Sequence, residues 1–172
     1  MHPQAVVALS IRPPPSHLYD RSGFPNGGVN ATGRTFMRGA LITKPNGKVT
    51  FRTIVPGWYS GRLAHIHMRV RDAPGPPTAR AFRRNTGFTT QLYLPDRLLR
   101  SVYAAAPYQS ARGYTATVAS DFELKGNWPK YQALTAAVRP ATRRWLRANG
   151  FAKPGDRWGL GHVASYTLRL RW

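Results

Sequence analysis

Apolar and polar residues alternate through much of this 172-residue chain, and the alternation predicts strands. Residues 35–43, TFMRGALIT, read as one. Asn46-Gly47 is a two-residue hairpin signal, and 48–54, KVTFRTI, is the predicted returning strand. Pro56-Gly57 breaks it, and a loop carries Trp58, Tyr59, Gly61 and Arg62. In 64–70, AHIHMRV, the residues Ala64, Ile66, Met68 and Val70 share one face, and His65, His67 and Arg69 the other. A loop rich in Pro, Gly and Arg spans 71–87, before a strand at 88–94, FTTQLYL. Pro95-Asp96 opens a short helix in which Leu98, Leu99, Val102 and Tyr103 recur at helical spacing. Residues 114–119 read as a further strand. The spacing of Tyr131, Leu134, Val138, Trp145 and Leu146 predicts a helix over 129–149, kinked or divided at Pro140 and ended by Gly150. Residues 162–172 close the chain as a strand, with Ala164, Tyr166, Leu168, Leu170 and Trp172 on one face.

Strands joined by short turns, with helical material late, point to an all-β fold, an antiparallel β-sandwich. The expected organisation is an irregular N-terminal arm over 1–18 and one sandwich domain over 19–172, with the 129–149 helix inserted. Ala5 to Ile11 is a short apolar run, but no Lys or Arg precedes it, so it does not read as a signal peptide. Pro13-Pro14-Pro15 then stops regular structure. No apolar run approaches the roughly 20 residues of a membrane-spanning helix.

Composition narrows the chemistry. The chain has no cysteine, which excludes a disulfide scaffold, a thiolate metal site and a cysteine nucleophile. Any metal must be held by histidine, carboxylate, tyrosine or backbone oxygen. There are 26 Lys+Arg against 6 Asp+Glu, a net charge of +20, and most of the basic residues are arginine. Such charge suits nucleic acid or another anionic partner, yet the arginines are scattered and no nucleic-acid-binding signature accompanies them. The acids Asp20, Asp72, Asp96, Asp121, Glu123 and Asp156 are too dispersed to suggest a two-carboxylate catalyst or a calcium loop.

His65 and His67 stand at i and i+2 of one strand, so both imidazoles project from one face and two ligands can approach one ion. The competing reading is a polar outer face on an edge-exposed strand. Tyr59 and Arg62 sit just upstream on a glycine-flanked loop, and Tyr19 lies in another loop. Phenolate is a hard anionic donor, so two tyrosines with two histidines favour a trivalent ion such as Fe(III). A nearby arginine favours phenolate over phenol. His17 and His162 read as ordinary loop and strand residues, and His2 has no assigned role.

The stretch TFMRGALITKPNGKVTFRTIVPGWYSGRLAHIHMRV resembles the core of the intradiol ring-cleavage dioxygenases, the catechol and protocatechuate dioxygenase family, and most of all its secreted branch. The motif is a tyrosine, an arginine shortly after, and His-x-His three residues beyond the arginine: here Tyr59, Arg62, His65 and His67. TGFTTQLYLPD, 86–96, resembles the family's next strand, where a glutamine faces the site and Gln91 stands here. HVASYTLRL resembles the closing strand. The resemblance implies a non-haem Fe(III) held by Tyr19, Tyr59, His65 and His67, Arg62 stabilising negative charge on the substrate ring, and Gln91 lining the pocket. It implies a catechol-type substrate cleaved by O2 between its two hydroxylated carbons to a muconate-type diacid, with Tyr59 the ligand that substrate displaces.

Two rival readings remain: a non-catalytic relative acting as a binding module, and a basic nucleic-acid-binding domain supported by charge alone. The family carries strands ahead of its first tyrosine, whereas 18 residues precede Tyr19 here. The expectation is therefore a truncated N-terminus, an open edge or uncovered apolar face near Thr35 to Thr43, and self-association into a homo-oligomer. The compartment is left unassigned.

Overall fold

A computed structural model describes residues 5–10, 38–58, 61–72, 87–105, 108, 114–151 and 161–169. Tyr19 and Tyr59 lie outside the described residues, as do His2 and His17. The described chain is rich in strand, with three short helices. The strands are β1 (Ala5–Ser10), β2 (Arg38–Ile42), β3 (His65–Asp72), β4 (Phe88–Tyr93), β5 (Ala137–Pro140) and β6 (His162–Ser165); the helices are α1 (Asp96–Tyr103), α2 (Trp128–Ala133) and α3 (Arg143–Ala148).

β1 to β4 form an antiparallel sheet in the order β2-β1-β3-β4. The expected irregular arm is thus corrected over Ala5–Ser10. This stretch is a strand inside the sheet, with Val7 opposite Leu41 on one side and Val70 on the other. Its backbone groups are paired along both edges, as those of an interior strand must be. The Thr43 amide donates to the Ala5 carbonyl, and the Ala5 amide donates to Thr43 Oγ1, tying off the β1–β2 ladder. β2 is one edge of the sheet among the described residues, and Leu41 and Ile42 there are each 43% exposed.

One face of this sheet is apolar. Val7, Met68 and Val70 cluster there under Val49, Phe51, Leu92, Tyr166 and Leu168. The predicted turn at Asn46-Gly47 forms, but as a three-residue loop. The Gly47 amide donates to the Lys44 carbonyl, the Lys44 amide to the Lys48 carbonyl, and Gly47 sits at φ 75°. The predicted strand 48–54 is corrected: it crosses the apolar face with Val49 and Phe51 packed down but forms no named strand.

The larger core joins Leu63, Ala64, Tyr93 and Leu94 to Leu99 and Tyr103 of α1 and to Tyr114, Ala116, Val118, Leu124 and Ala136. α1 forms where its periodicity predicts, with Leu99 and Tyr103 buried. Residues 114–118 keep the predicted alternation, burying Tyr114, Ala116 and Val118, without becoming a strand. Their backbone turns instead, with the Thr117 amide donating to Ser120 Oγ and the Asp121 amide to the Thr117 carbonyl.

The continuous 129–149 helix is also corrected. α2 is capped by Asn127, whose side chain accepts from the Lys130 amide, and it ends at Leu134. There the Tyr93 amide donates to the Leu134 carbonyl and the Ala136 amide to the Tyr93 carbonyl. This pairing with the end of β4 takes residues 134–136 out of the helix. β5 follows, with Pro140, which has no amide hydrogen, as its last residue. α3 is capped by the Thr142 hydroxyl and stops before Gly150. The closing strand is shorter than predicted: β6 pairs with β5, and Val163, not Ala164, is its buried residue.

Candidate active site

β3 lies between β1 and β4, so the edge-strand reading of the His-x-His segment does not hold. His65 is buried, although it belongs to the polar set of the alternation. Its Nδ1 is 2.6 Å from the Leu63 carbonyl oxygen. A carbonyl can only accept, so Nδ1 carries the proton and Nε2 the lone pair. His67 is exposed, and its Nε2 lies 3.1 Å from His65 Nε2. Burial, chiefly, lowers the His65 pKa to about 4, with the charge of Arg62 adding to the effect, so the ring is neutral near pH 7.

Across the ladder, His67 faces Gln91 and His65 faces Tyr93. Gln91 Oε1 accepts from the Tyr93 hydroxyl at 2.7 Å and from Arg62 Nη2. Tyr93 is fully buried, and its pKa is raised to about 12, mainly by that burial. The structure therefore brings together Arg62, His65, His67 and Gln91.

Arg62 is 3% exposed. Its Nε donates to both oxygens of Asp121, at 3.2 and 3.1 Å, and its guanidinium carbon stands 4.8 Å over the ring of Phe122. Glu123, at the surface, reaches 4.0 Å from Nη1. The loop ahead of Arg62 is held from below: the Tyr103 hydroxyl donates to the Pro56 carbonyl, the Tyr108 hydroxyl to the Val55 carbonyl, and Trp58 packs edge-on against Tyr114.

Sequence reasoning missed two members of this cluster. Tyr93 was within reach of it, because residues i and i+2 of a strand share a face and Gln91 was already a candidate. Asp121 carries no local signal; it meets Arg62 across 59 residues of chain.

Two imidazoles bound side by side to one ion, with metal–nitrogen bonds of about 2.1 Å, hold their nitrogens about 3 Å apart. The His65–His67 separation and the bond fixing His65 Nδ1–H fit that demand. Among the described residues no group of three or more His, Asp or Glu side chains forms. Tyr19 and Tyr59, the further donors that the resemblance implies, lie outside the described residues.

Comparison with protein-family models and with curated proteins gives no match. Comparison with solved structures does. An intradiol ring-cleavage dioxygenase from Tetranychus urticae superposes with a TM-score of 0.61 at 23% identity, over 81% of this chain and 64% of that one. A second dioxygenase structure gives 0.60 at 23% identity over the same shares. The dioxygenase domain of a carbohydrate-binding fusion protein from Streptomyces sp. SirexAA-E gives 0.40 at 26% identity. The chain has the fold of the intradiol ring-cleavage dioxygenases. It spans 64% of the length of the first two structures.

Proposed function

We propose that the chain is a non-haem Fe(III)-dependent intradiol dioxygenase that cleaves a catechol-type aromatic diol with O2 to a muconate-type diacid. The observation that carries this reading is the convergence of His65 and His67 Nε2 to 3.1 Å, beside the buried Arg62, in a chain of this fold. In this reading the four-stranded sheet is one layer of an antiparallel sandwich.

His65, His67, Tyr19 and Tyr59 are the proposed iron ligands. Ferric iron held by these donors would supply the electron-accepting charge that makes an aromatic diol reactive toward O2. The chain's own side chains do the rest. Burial and the Leu63 carbonyl keep His65 neutral, with its Nε2 lone pair toward the site. Arg62, itself buried, stabilises negative charge on the substrate ring. The oxygen of Gln91 is committed to Tyr93 and Arg62, so its amide NH2 is the group turned toward a bound molecule.

The test is elemental analysis and a visible spectrum of the purified protein, followed by turnover of catechol under labelled O2. The expected results are one iron per chain, a broad visible charge-transfer band, and a diacid carrying both labelled oxygen atoms. A yellow semialdehyde product would reject intradiol cleavage. A protein that stays colourless after anaerobic Fe(II) loading and air oxidation would leave a non-catalytic binding module with the dioxygenase fold.

A further inference from the structure

Asp121 is one of six acids in a chain of net charge +20, and it is completely buried, 59 residues from the motif that defines the site. Both its oxygens are saturated. Oδ1 accepts from Arg62 Nε, from the Glu123 amide at 2.9 Å and from the Leu124 amide at 3.0 Å. Oδ2 accepts from Arg62 Nε and from the Leu63 amide at 2.8 Å. A carboxylate held by two side-chain and three backbone contacts cannot swing, and whatever it holds is held as rigidly.

We infer that Asp121 is the positioning residue that sets both Arg62 and His65; the inference rests on the dioxygenase reading for what those two residues do. By taking the Nε edge of the guanidinium, Asp121 turns the two Nη groups the other way, and Nη2 meets Gln91. The planar fork lets no other of its N–H groups reach Asp121 without rotating the Nη pair. Phe122, the next residue along the turn, covers one face of the guanidinium. The charge is thereby aimed at Gln91, the ladder partner of His67.

The second action runs through Leu63. Its amide is pinned by Asp121, and its carbonyl accepts from His65 Nδ1–H. That carbonyl decides which ring nitrogen keeps the proton and which presents a lone pair beside His67. One buried carboxylate on the 117–126 turn therefore specifies the direction of a cation and the tautomer of a proposed ligand on a different part of the chain.

The experiment is a double-mutant cycle of Asp121→Asn and Arg62→Gln, read by iron content, kcat and KM for catechol, and nitrogen NMR of the metal-free protein. Asn keeps the shape but supplies one acceptor oxygen in place of two. The expected Asp121→Asn protein folds and binds iron, with kcat per iron down on the order of 10–100-fold and KM changed far less. Its Arg62 Nε–H resonance loses protection from solvent exchange, and its His65 signal shifts from the single Nδ1–H tautomer to a mixture. In the double variant, kcat falls below that of Arg62→Gln by a smaller factor than Asp121→Asn costs in the wild-type background, because the part of the effect that runs through the arginine is already lost and only the part through His65 remains. Equal fractional losses in both backgrounds, or an unchanged tautomer and an unchanged Arg62 resonance, would overturn the inference. If Asp121→Asn fails to fold, the double variant should recover solubility, since neutralising both members of a buried pair is tolerated better than stranding one. Failure of both would mean that Asp121 serves the backbone alone. The NMR arm needs neither iron nor turnover, so it stands even if the wild-type protein cleaves no catechol.

Discussion

The side-chain oxygen of Gln91 accepts two hydrogen bonds at once, from the Tyr93 hydroxyl at 2.7 Å and from the Arg62 guanidinium. This fixes the amide orientation without reference to any ligand, because a guanidinium can only donate and the Gln91 atom that meets it must be the oxygen. Burial reinforces it: with the Tyr93 pKa raised to about 12, the phenol stays protonated and remains a donor throughout the working pH range. Arg62 in turn bridges β4 and the 117–126 turn, which no ladder of the sheet connects.

Lysine cannot make that bridge. It keeps a positive charge but has no fork with which to reach Asp121 and Gln91 together. Arg62→Lys should lower kcat per iron on the order of 100-fold while iron content stays close to the wild-type value. The measurement is turnover of catechol alongside metal analysis of the same sample. Parallel loss of both would make Arg62 a support for the fold and nothing more.

His67→Ala should abolish iron retention, because the proposed pair loses one of its converging nitrogens. His162→Ala should leave iron content unchanged, since His162 lies exposed on β6. Metal analysis after loading and dialysis separates the two. Retention of iron by His67→Ala would remove that residue from the ligand set.

Gly87 packs against β3 so closely that a Cβ there would lie 2.6 Å from the Val70 carbonyl oxygen. Backbone cannot retreat as the end of a side chain can, so Gly87→Ala should destabilise the chain by about 1–3 kcal/mol. Urea denaturation of the two proteins reads this directly. An unchanged midpoint would mean that the β3–β4 ladder shifts at no cost.

Tyr93, Tyr103 and Tyr114 all have raised pKa values, in each case chiefly through burial. The unfolded chain releases these protons near pH 10, and the folded chain holds them to about pH 12 or beyond. Their contribution to stability is therefore intact below pH 10 and is lost as pH rises through the folded values. Denaturation midpoints measured from pH 8 to 11.5 should fall above pH 10. Tyr103→Phe should make that fall shallower, since one fewer proton is released on unfolding.

β2 leaves its outer edge without a partner strand among the described residues, with Leu41 and Ile42 exposed beside it. Edges of this kind pair with other chains unless charge prevents it. The net charge of +20 opposes association at low salt and is screened at high salt. Sedimentation should show association rising with salt for the wild-type chain and falling back in Leu41→Lys. Salt-independent association would place the contact elsewhere.

Local pattern was enough for the elements whose partners are written nearby. The alternation in 64–70 and 88–94 becomes the two strands that carry the histidines and Gln91, and the helical spacing after Pro95 becomes α1. The pair of histidines on one strand face follows from the two-residue period alone. Tertiary structure decided the rest, and the reason in each case is a partner far off in the chain. Ala5–Ser10 is an apolar run that nothing local marks as a strand until β2 and β3 take up its two edges. Residues 134–136 follow the helical period but give their backbone to Tyr93, because a hydrogen-bonded partner at the end of β4 outweighs another helical turn. Asp121 lies too far along the sequence for spacing to tie it to Arg62. A buried guanidinium needs a counter-charge, and only the fold decides which of six scattered acids supplies it.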